Sequence, residues 1–286
     1  MPNNFRCLWR SPWLPLVAGG LALIDALAIE PTRLMVRRIA VPLEGGEADR
    51  GDVSSVRLAQ LSDLHVGGGA WRRETLLKAI DVCNQEELDL IAITGDFIGS
   101  PRHVETALEL LASLRSDVPR LAVLGNHDHV YGAIPRNKLL AGLSLLGITV
   151  LRNRSVPVDL SSGTVWFAGV DDGYSMRDDL NAAMSGLPRD AFPRILLTHY
   201  PDVVEGLRPG QVQLSLAGHT HGGQIRLPII TGLVNNGHAR TNYGYGLYRV
   251  NGNPLYVTSG LGMSGVPMRF RNPPELAIIE LLGCRG

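Results

Sequence analysis

The sequence predicts an α/β fold built of two packed β-sheets with helices on the outside. Three observations lead there. From residue 56 the chain alternates short, nearly all-apolar runs with amphipathic runs of helical period. After residue 147 it changes to closely spaced strand-like runs. Gly (33) and Pro (18) fall mostly between the runs, as many turns around short elements require. Apolar residues make up 45% and charged residues 19%, the balance of a folded chain with enough apolar surface for a sizeable core.

The amino terminus comes first. Residues 13–29 read WLPLVAGGLALIDALAI, and the uninterrupted apolar part, Trp13 to Ile24, is 12 residues long before Asp25 breaks it. A free transmembrane helix needs about 20 residues. The length suits a signal-peptide core, with Ala26, Leu27 and Ala28 as a small-residue cleavage site, although Asp25 sits badly there. Three readings stand: an uncleaved anchor, a cleaved signal, and a buried or surface-lying helix. Arg6 and Arg10 on one side and Arg33, Arg37 and Arg38 on the other leave the orientation open. Residues 1–30 thus form an anchor-like or signal-like segment. Residues 31–55 hold a leading strand and a linker, EGGEADRGD at 44–52, and the main domain runs over 56–284.

Within that domain, VRLAQLSD (56–63) reads as a strand. Residues 71–87, apolar at 76, 77, 80 and 83, read as an amphipathic helix. LDLIAITGD (88–96) is the continuous apolar strand expected in a sheet covered on both faces. Residues 103–115 read as a helix behind Pro101, and 120–128 as a buried strand with a polar tip. Residues 135–147 read as a helix ended by Gly147. Seven strand-like runs follow, from ITVLRNRSVPV to PELAIIELL, and the Gly- and Asn-rich residues 227–245 read as a long loop near the site.

Acidic and basic residues number 27 each, and the only lysines are Lys78 and Lys138. No basic stripe is present, which counts against nucleic acid as a partner. Cys7, Cys83 and Cys284 are far apart, so neither a disulfide framework nor a thiolate metal site is expected.

The chemistry is written at the strand ends. QLSDLHVG carries Asp63 and His65, AITGDFIG carries Asp96, and AVLGNHDH carries Asn126, His127, Asp128 and His129. LLTHYP carries His199, and SLAGHTHGG carries His219 and His221. A lone histidine at a strand end is most often a hydrogen-bonded bystander. Five strand ends bearing such residues in an apolar setting argue otherwise, because ionisable groups collected without a counter-charge are costly. Period-two spacing in extended chain aims Asp63 with His65, and His219 with His221, to one side. Ligands of open α/β sheets gather at the carboxyl ends of strands. Seven O and N donors exceed the needs of one ion and suit two, of the Mn, Fe or Zn kind. Gly95, Gly125 and Gly218, each just before a candidate donor, fit sharp turns and close backbone approach.

In that order SDLH, TGD, GNHD, THYP and GHTHGG resemble the motifs of the calcineurin-like metallophosphoesterases, and the resemblance runs from about residue 56 to 282. It implies a two-sheet sandwich flanked by helices. It implies that Asp63, His65, Asp96 and His221 ligate one metal, and that Asp96, Asn126, His199 and His219 ligate the other, with Asp96 bridging. His127 then corresponds to the family's non-ligand histidine at the leaving group, and Asp128 is expected to orient it. The implied reaction is hydrolysis of a P–O bond by a hydroxide held between two divalent or trivalent cations.

The stretch GHTHGGQIRLP and the amino-terminal segment are similar to a bacterial phosphodiesterase subgroup, which includes relatives that cleave UDP-2,3-diacylglucosamine. The better-known enzymes of that lipid A step carry Arg where this chain has His127. The expected substrate is therefore a small-molecule or lipid-linked phosphodiester or pyrophosphate, handled at the inner membrane. Export after signal cleavage, or a cytoplasmic place, are the alternatives. A nuclease and a non-catalytic scaffold are the competing functions, and no protein partner is indicated.

Overall fold

The structure, a computed structural model, describes residues 13–43, 55–67, 70–227 and 241–283. One six-stranded sheet holds β1 (Met35–Pro42), β2 (Val56–Leu61), β3 (Leu90–Thr94), β4 (Arg120–Val123), β5 (Thr149–Val150) and β12 (Glu275–Leu282). Their order is β1-β12-β2-β3-β4-β5. The other holds β6 (Arg154–Leu160), β7 (Gly163–Gly169), β8 (Arg194–Leu197), β9 (Leu214–Ala217), β10 (Gly246–Val250) and β11 (Asn253–Val257). Its order is β10-β11-β9-β8-β7-β6. β2 to β5 run parallel, as do β7, β8, β9 and β11.

Alternation along each strand sorts its side chains into layers. On β3, Leu90 and Ala92 enter the core between the sheets, where Leu58, Val123, Phe167, Ile195 and Leu216 meet them. Ile91 and Ile93 face the other way, toward α2 (Ala70–Gln85), α3 (Val104–Leu111) and α5 (Ala133–Leu145). These helices contribute Leu76, Ile80, Cys83, Ala107, Leu111, Leu139 and Leu143 to that layer. Each fully buried Leu or Ile favours folding by about 1.5–3 kcal/mol, before the cost of ordering the chain. Leu77, one of the four apolar positions expected on the buried face of α2, is instead 39% exposed. On the outer face of the second sheet, Ala168, Leu196 and Val257 pack with Ala183 of α6 (Leu180–Ser185) and with Val204 of the 3₁₀ turn Pro201–Gly206. Helix α6 was not expected from periodicity. Six residues are too few to show one, and its signal is the cap, where the Asp179 side chain accepts from Ala182 N.

The amino-terminal segment is helical well past Asp25. α1 (Leu14–Ile24) runs on as a π turn, Asp25–Ile29, and a 3₁₀ turn, Glu30–Thr32. Pro15–Thr32 is thus an 18-residue stretch long and apolar enough to cross a membrane, with only 17% of it buried. At 1.5 Å per residue it spans about 27 Å, near the thickness of a bilayer core. Leu16, Val17, Leu21 and Ile24 are exposed. The final turns dock on the sandwich. Arg269 N donates to Ala26 O at 2.9 Å, and Thr75 Oγ1 donates to Pro31 O at 3.1 Å. The expected leading strand is β1, whereas the linker 44–52 and most of the loop 227–245 lie outside the described residues.

Candidate metal centre

β2, β3, β4, β8 and β9 end on one rim, and each candidate residue lies just beyond one of those ends. The means of convergence differs from the sequence expectation. Asp63 and His65 lie past the end of β2, and His219 and His221 past the end of β9, so strand alternation does not aim them. Their φ angles are positive instead: +51° for Asp63, +40° for His65, +71° for His219 and +51° for His221, with Asp96 at +56°. A left-handed residue with a side chain costs about 1–3 kcal/mol and persists only where its surroundings hold it. Here Asp63 N donates to Gly95 O at 3.0 Å, His65 N to Asp96 O at 2.9 Å, and Gly218 N to His199 O at 3.1 Å.

All three flanking glycines are required by space, a Cβ on Gly95 lying 2.6 Å from Gly125 N. A Cβ on Gly125 would lie 2.2 Å from Asp96 Oδ1, and one on Gly218 would lie 2.0 Å from Ser62 Oγ and 2.4 Å from Asp63 Oδ2.

The donor atoms form two groups that share one carboxylate. Asp96 Oδ2 lies 3.2 Å from His65 Nε2 and 3.3 Å from His199 Nε2. On one side His221 Nε2 is 3.0 Å from His65 Nε2 and 3.6 Å from Asp63 Oδ1. On the other, Asn126 Oδ1 is 3.1 Å from His199 Nε2 and 3.0 Å from His219 Nδ1. Asp63, His65, Asp96, His199 and His221 are all buried.

The arrangement fits cations. His199 Nδ1 lies 2.7 Å from Thr94 O, to which it donates, so in neutral His199 the Nε2 lone pair faces two acceptors, Asp96 Oδ2 and Asn126 Oδ1. His65 and His221 likewise point Nε2 at each other, and a positive ion between such groups satisfies all of them at once. Without one, protons must serve. Burial raises the Asp96 carboxyl pKa, but His199 and His65 outweigh it and hold the group well below the usual carboxylate range. Burial lowers His199, yet the charge of Asp96 carries it well above its ordinary value. Burial pushes the Asp63 carboxyl up, with His199 opposing and Asp96 adding to the rise. Burial, with His65 next to it, pushes His221 well below the ordinary imidazole value.

His127 stands at the edge of this array. Its ring meets His65 edge-on at 4.6 Å between centroids, and its Nε2 is 3.3 Å from Ser264 Oγ. It also lies close enough to His65 and Asp96 to join a three-donor group with them. Burial holds its pKa below the ordinary value, against the pull of Asp96.

Asp128 does not contact the His127 ring, contrary to the expected orienting role. Its Oδ2 accepts from Asp96 N and Gly125 N, and its Oδ1 from Phe97 N, all at 2.9 Å. The reason is the one-turn helix α4 (Asn126–Val130), in which neighbouring side chains diverge by about 100°. Asp128 therefore ties the Asp96 turn to the Asn126 turn. Burial and the nearby Asp96 carboxylate push it up to about 7. His129 is buried, its Nε2 2.6 Å from Asp171 Oδ1.

A pocket of ≈ 370 Å³ opens over the array, lined by Asp96, Asn126, His127 and His219 and walled by Tyr174 and Ser264. Sequence reasoning missed Tyr174, whose ring lies 4.8 Å from that of His219, and Ser264. Neither belongs to a strand-end motif, and only the fold brings them in.

Residues 56–223 match the family model described as calcineurin-like phosphoesterase, more than half of the chain. The two-sheet sandwich and this site define the same class, and the chain belongs to that family. It is 34% identical over 231 residues to YkuE of Bacillus subtilis (strain 168), an uncharacterized metallophosphoesterase, covering 79% of this chain and 78% of that one. It is 30% identical over 247 residues to the transmembrane protein with metallophosphoesterase domain of Danio rerio, covering 80% of this chain and 54% of that one. Among solved structures, the purple acid phosphatase PPD1 of yellow lupin (Lupinus luteus) seeds is 14% identical, with a TM-score of 0.45 over 76% of this chain and 46% of that one.

Proposed function

We propose that the protein is a phosphodiesterase that works with two bound cations of the Mn, Fe or Zn kind. The observation that carries this is the position of Asp96 Oδ2 between His65 Nε2 at 3.2 Å and His199 Nε2 at 3.3 Å. Asp63, His65, Asp96 and His221 would hold one cation, and Asp96, Asn126, His199 and His219 the other. When bound, such a pair supplies Lewis acidity at a phosphoryl oxygen and lowers the pKa of water. The protein's own residues do the rest. His127 lines the pocket and is the group placed to stabilise the departing oxygen by a hydrogen bond or, where the ring is protonated, to give it a proton. Asp128 fixes the backbone of both turns that carry cation ligands, Asp96 and Asn126, so that neither must reorganise during reaction.

The second reading concerns substrate and place. The 18-residue apolar stretch 15–32 supports a membrane-associated protein, and the name of the zebrafish relative is in keeping with this. Arg271 N donates to Glu30 Oε2 at 2.7 Å, and the same segment supplies Ser264, Gly265 and the half-exposed Val266 to the pocket lip. A pocket so close to the end of an apolar helix suits a lipid-linked phosphodiester or pyrophosphate, UDP-2,3-diacylglucosamine included.

Metal-free protein supplied with Mn, Zn or Fe is expected to hydrolyse bis-p-nitrophenyl phosphate. Protein that retains two cations yet hydrolyses nothing with any of the three metals would overturn the proposal. His127→Ala is expected to lower the rate by about 10²–10⁴-fold with metal content unchanged. Equal loss of metal would make His127 a ligand instead. A panel of diester, cyclic nucleotide, monoester and UDP-diacylglucosamine then decides the substrate class.

A further inference from the structure

The turn that carries His221 is held in an unusual backbone. Four consecutive residues have positive φ: His221 at +51°, Gly222 at +56°, Gly223 at +79° and Gln224 at +44°. The glycines accept this freely, whereas His221 and Gln224 do not, so neighbouring groups must over-determine the turn. Thr220 Oγ1 accepts from Gly222 N and Arg226 Nε donates to Gly222 O, and the remaining partners come from one segment, residues 259–273. Asn272 Nδ2 donates to His221 O at 2.5 Å. Gln224 Nε2 donates to Val266 O at 2.7 Å, and Gln224 Oε1 accepts from Ser264 N at 3.0 Å. Phe270 N donates to Gln224 O at 3.0 Å.

The segment is itself clamped twice. Arg269 is fully buried, and its Nη2 donates to the carbonyls of Ser259 and Gly260, each at 2.9 Å, and of Gly262 at 2.5 Å. Its Nη1 donates to Asn272 O at 3.1 Å. From the other side, the backbone N–H groups of Arg271 and Asn272 donate to the carboxylate of Glu30. Glu30 is only 7% exposed and belongs to the last turn of the amino-terminal helical stretch. A buried carboxylate taking two backbone donors is a strong and directional tether.

We propose that Glu30 and Asn272 are positioning residues for His221, so that the end of the amino-terminal helix is a working part of the site. Glu30 fixes the backbone of Asn272. The Asn272 amide then holds the carbonyl of His221, and the left-handed turn aims His221 Nε2 at Asp63 and His65. The inference rests on the two-cation reading, and it adds that the apolar helix shapes one of the two cation sites and does not merely tether the domain.

The test uses the full chain in detergent. Asn272→Ala and Glu30→Gln are compared with wild type for cations retained per chain against a chelator series, and for the visible spectrum of the Co(II)-loaded protein. Each variant is expected to bind one of the two cations about 10–100-fold more weakly, with the other unchanged and only one Co(II) band set altered. His221→Ala should lose the same cation, and Asn272→Ala added to it should cause no further loss. Asn272→Ser and Glu30→Asp serve where the first variants fail to fold. Wild-type affinity for both cations, or equal loss of both, would overturn the proposal. Wild-type protein that takes up no cation would sink the two-cation reading, and this proposal with it.

Discussion

Asp128→Asn separates what the structure assigns to this residue from what its place beside His127 suggests. Asp128 Oδ2 accepts the N–H groups of Asp96 and Gly125, and Oδ1 accepts that of Phe97, all at 2.9 Å with the side chain fully buried. An asparagine can place its oxygen at the Oδ2 position and keep two bonds, now to a neutral acceptor. Its NH₂ then confronts the Phe97 N–H, donor against donor. Well above pH 7, where the Asp128 carboxyl is ionised, a lost hydrogen bond to a charged group costs about 1.5–3 kcal/mol, and the weakening of the other two adds to it, for a total of about 3 kcal/mol. For a chain of this size that lowers Tm by about 6–10 °C. The assay is calorimetric unfolding of metal-free wild type and variant, with metal uptake measured in parallel, since Asp96 is expected to shift and weaken both cation sites. A Tm within 2 °C of wild type and full metal uptake, accompanied by a fall in rate alone, would refute the reasoning and return Asp128 to the role of a partner for His127.

Gly218→Ala places a Cβ 2.4 Å from Asp63 Oδ2, so it should displace that carboxylate and leave about one cation per chain by elemental analysis. Retention of two would mean that Asp63 is not a ligand or that the turn yields. Asp171 provides a pH signature from a residue outside the proposed ligand set. Burial raises its pKa, but hydrogen bonds from His129 and Arg152 bring the carboxyl down to about 2, against an ordinary 3.8. A lowered acid stabilises above the unfolded value and loses that effect as pH falls through the folded one. Asp171→Asn should therefore cost about 2 kcal/mol in unfolding free energy at pH 6, with the gap to wild type closing between pH 4 and pH 2.

What could be read from the sequence followed from local physics. The apolar runs of β2, β3, β4, β8 and β9 announce buried strands, and the polar residues just past each run announce a shared rim. Asp63, His65, Asp96, Asn126, His199, His219 and His221 do converge there, with donor atoms 3.0–3.6 Å apart. The route was misread. Period-two alternation holds inside a strand, and these residues lie beyond the strands, where positive φ and Gly125 and Gly218 set their aim. Asp128 and His129 were legible as polar but not in direction, because a single helical turn sends adjacent side chains to different elements. The polar contacts of the segment 259–273 could not be read from the sequence. Its residues bear no motif, and Asn272, Arg269 and Glu30 meet only when β12 brings the far end of the chain beside the amino-terminal helix. That helix was read as 12 apolar residues because Asp25 looked like a break, whereas one partly exposed carboxylate does not end a helix whose neighbours keep their helical backbone.

The central claim is a pair of cations bridged by Asp96. The most direct test is the metal content per chain of wild type, Asp96→Asn, His65→Ala and His199→Ala after loading and desalting. The predicted result is about two cations for wild type, about one for each histidine variant, and close to none for Asp96→Asn. Asp96→Asn that still holds two cations, or histidine variants that each lose both, would contradict the bridge.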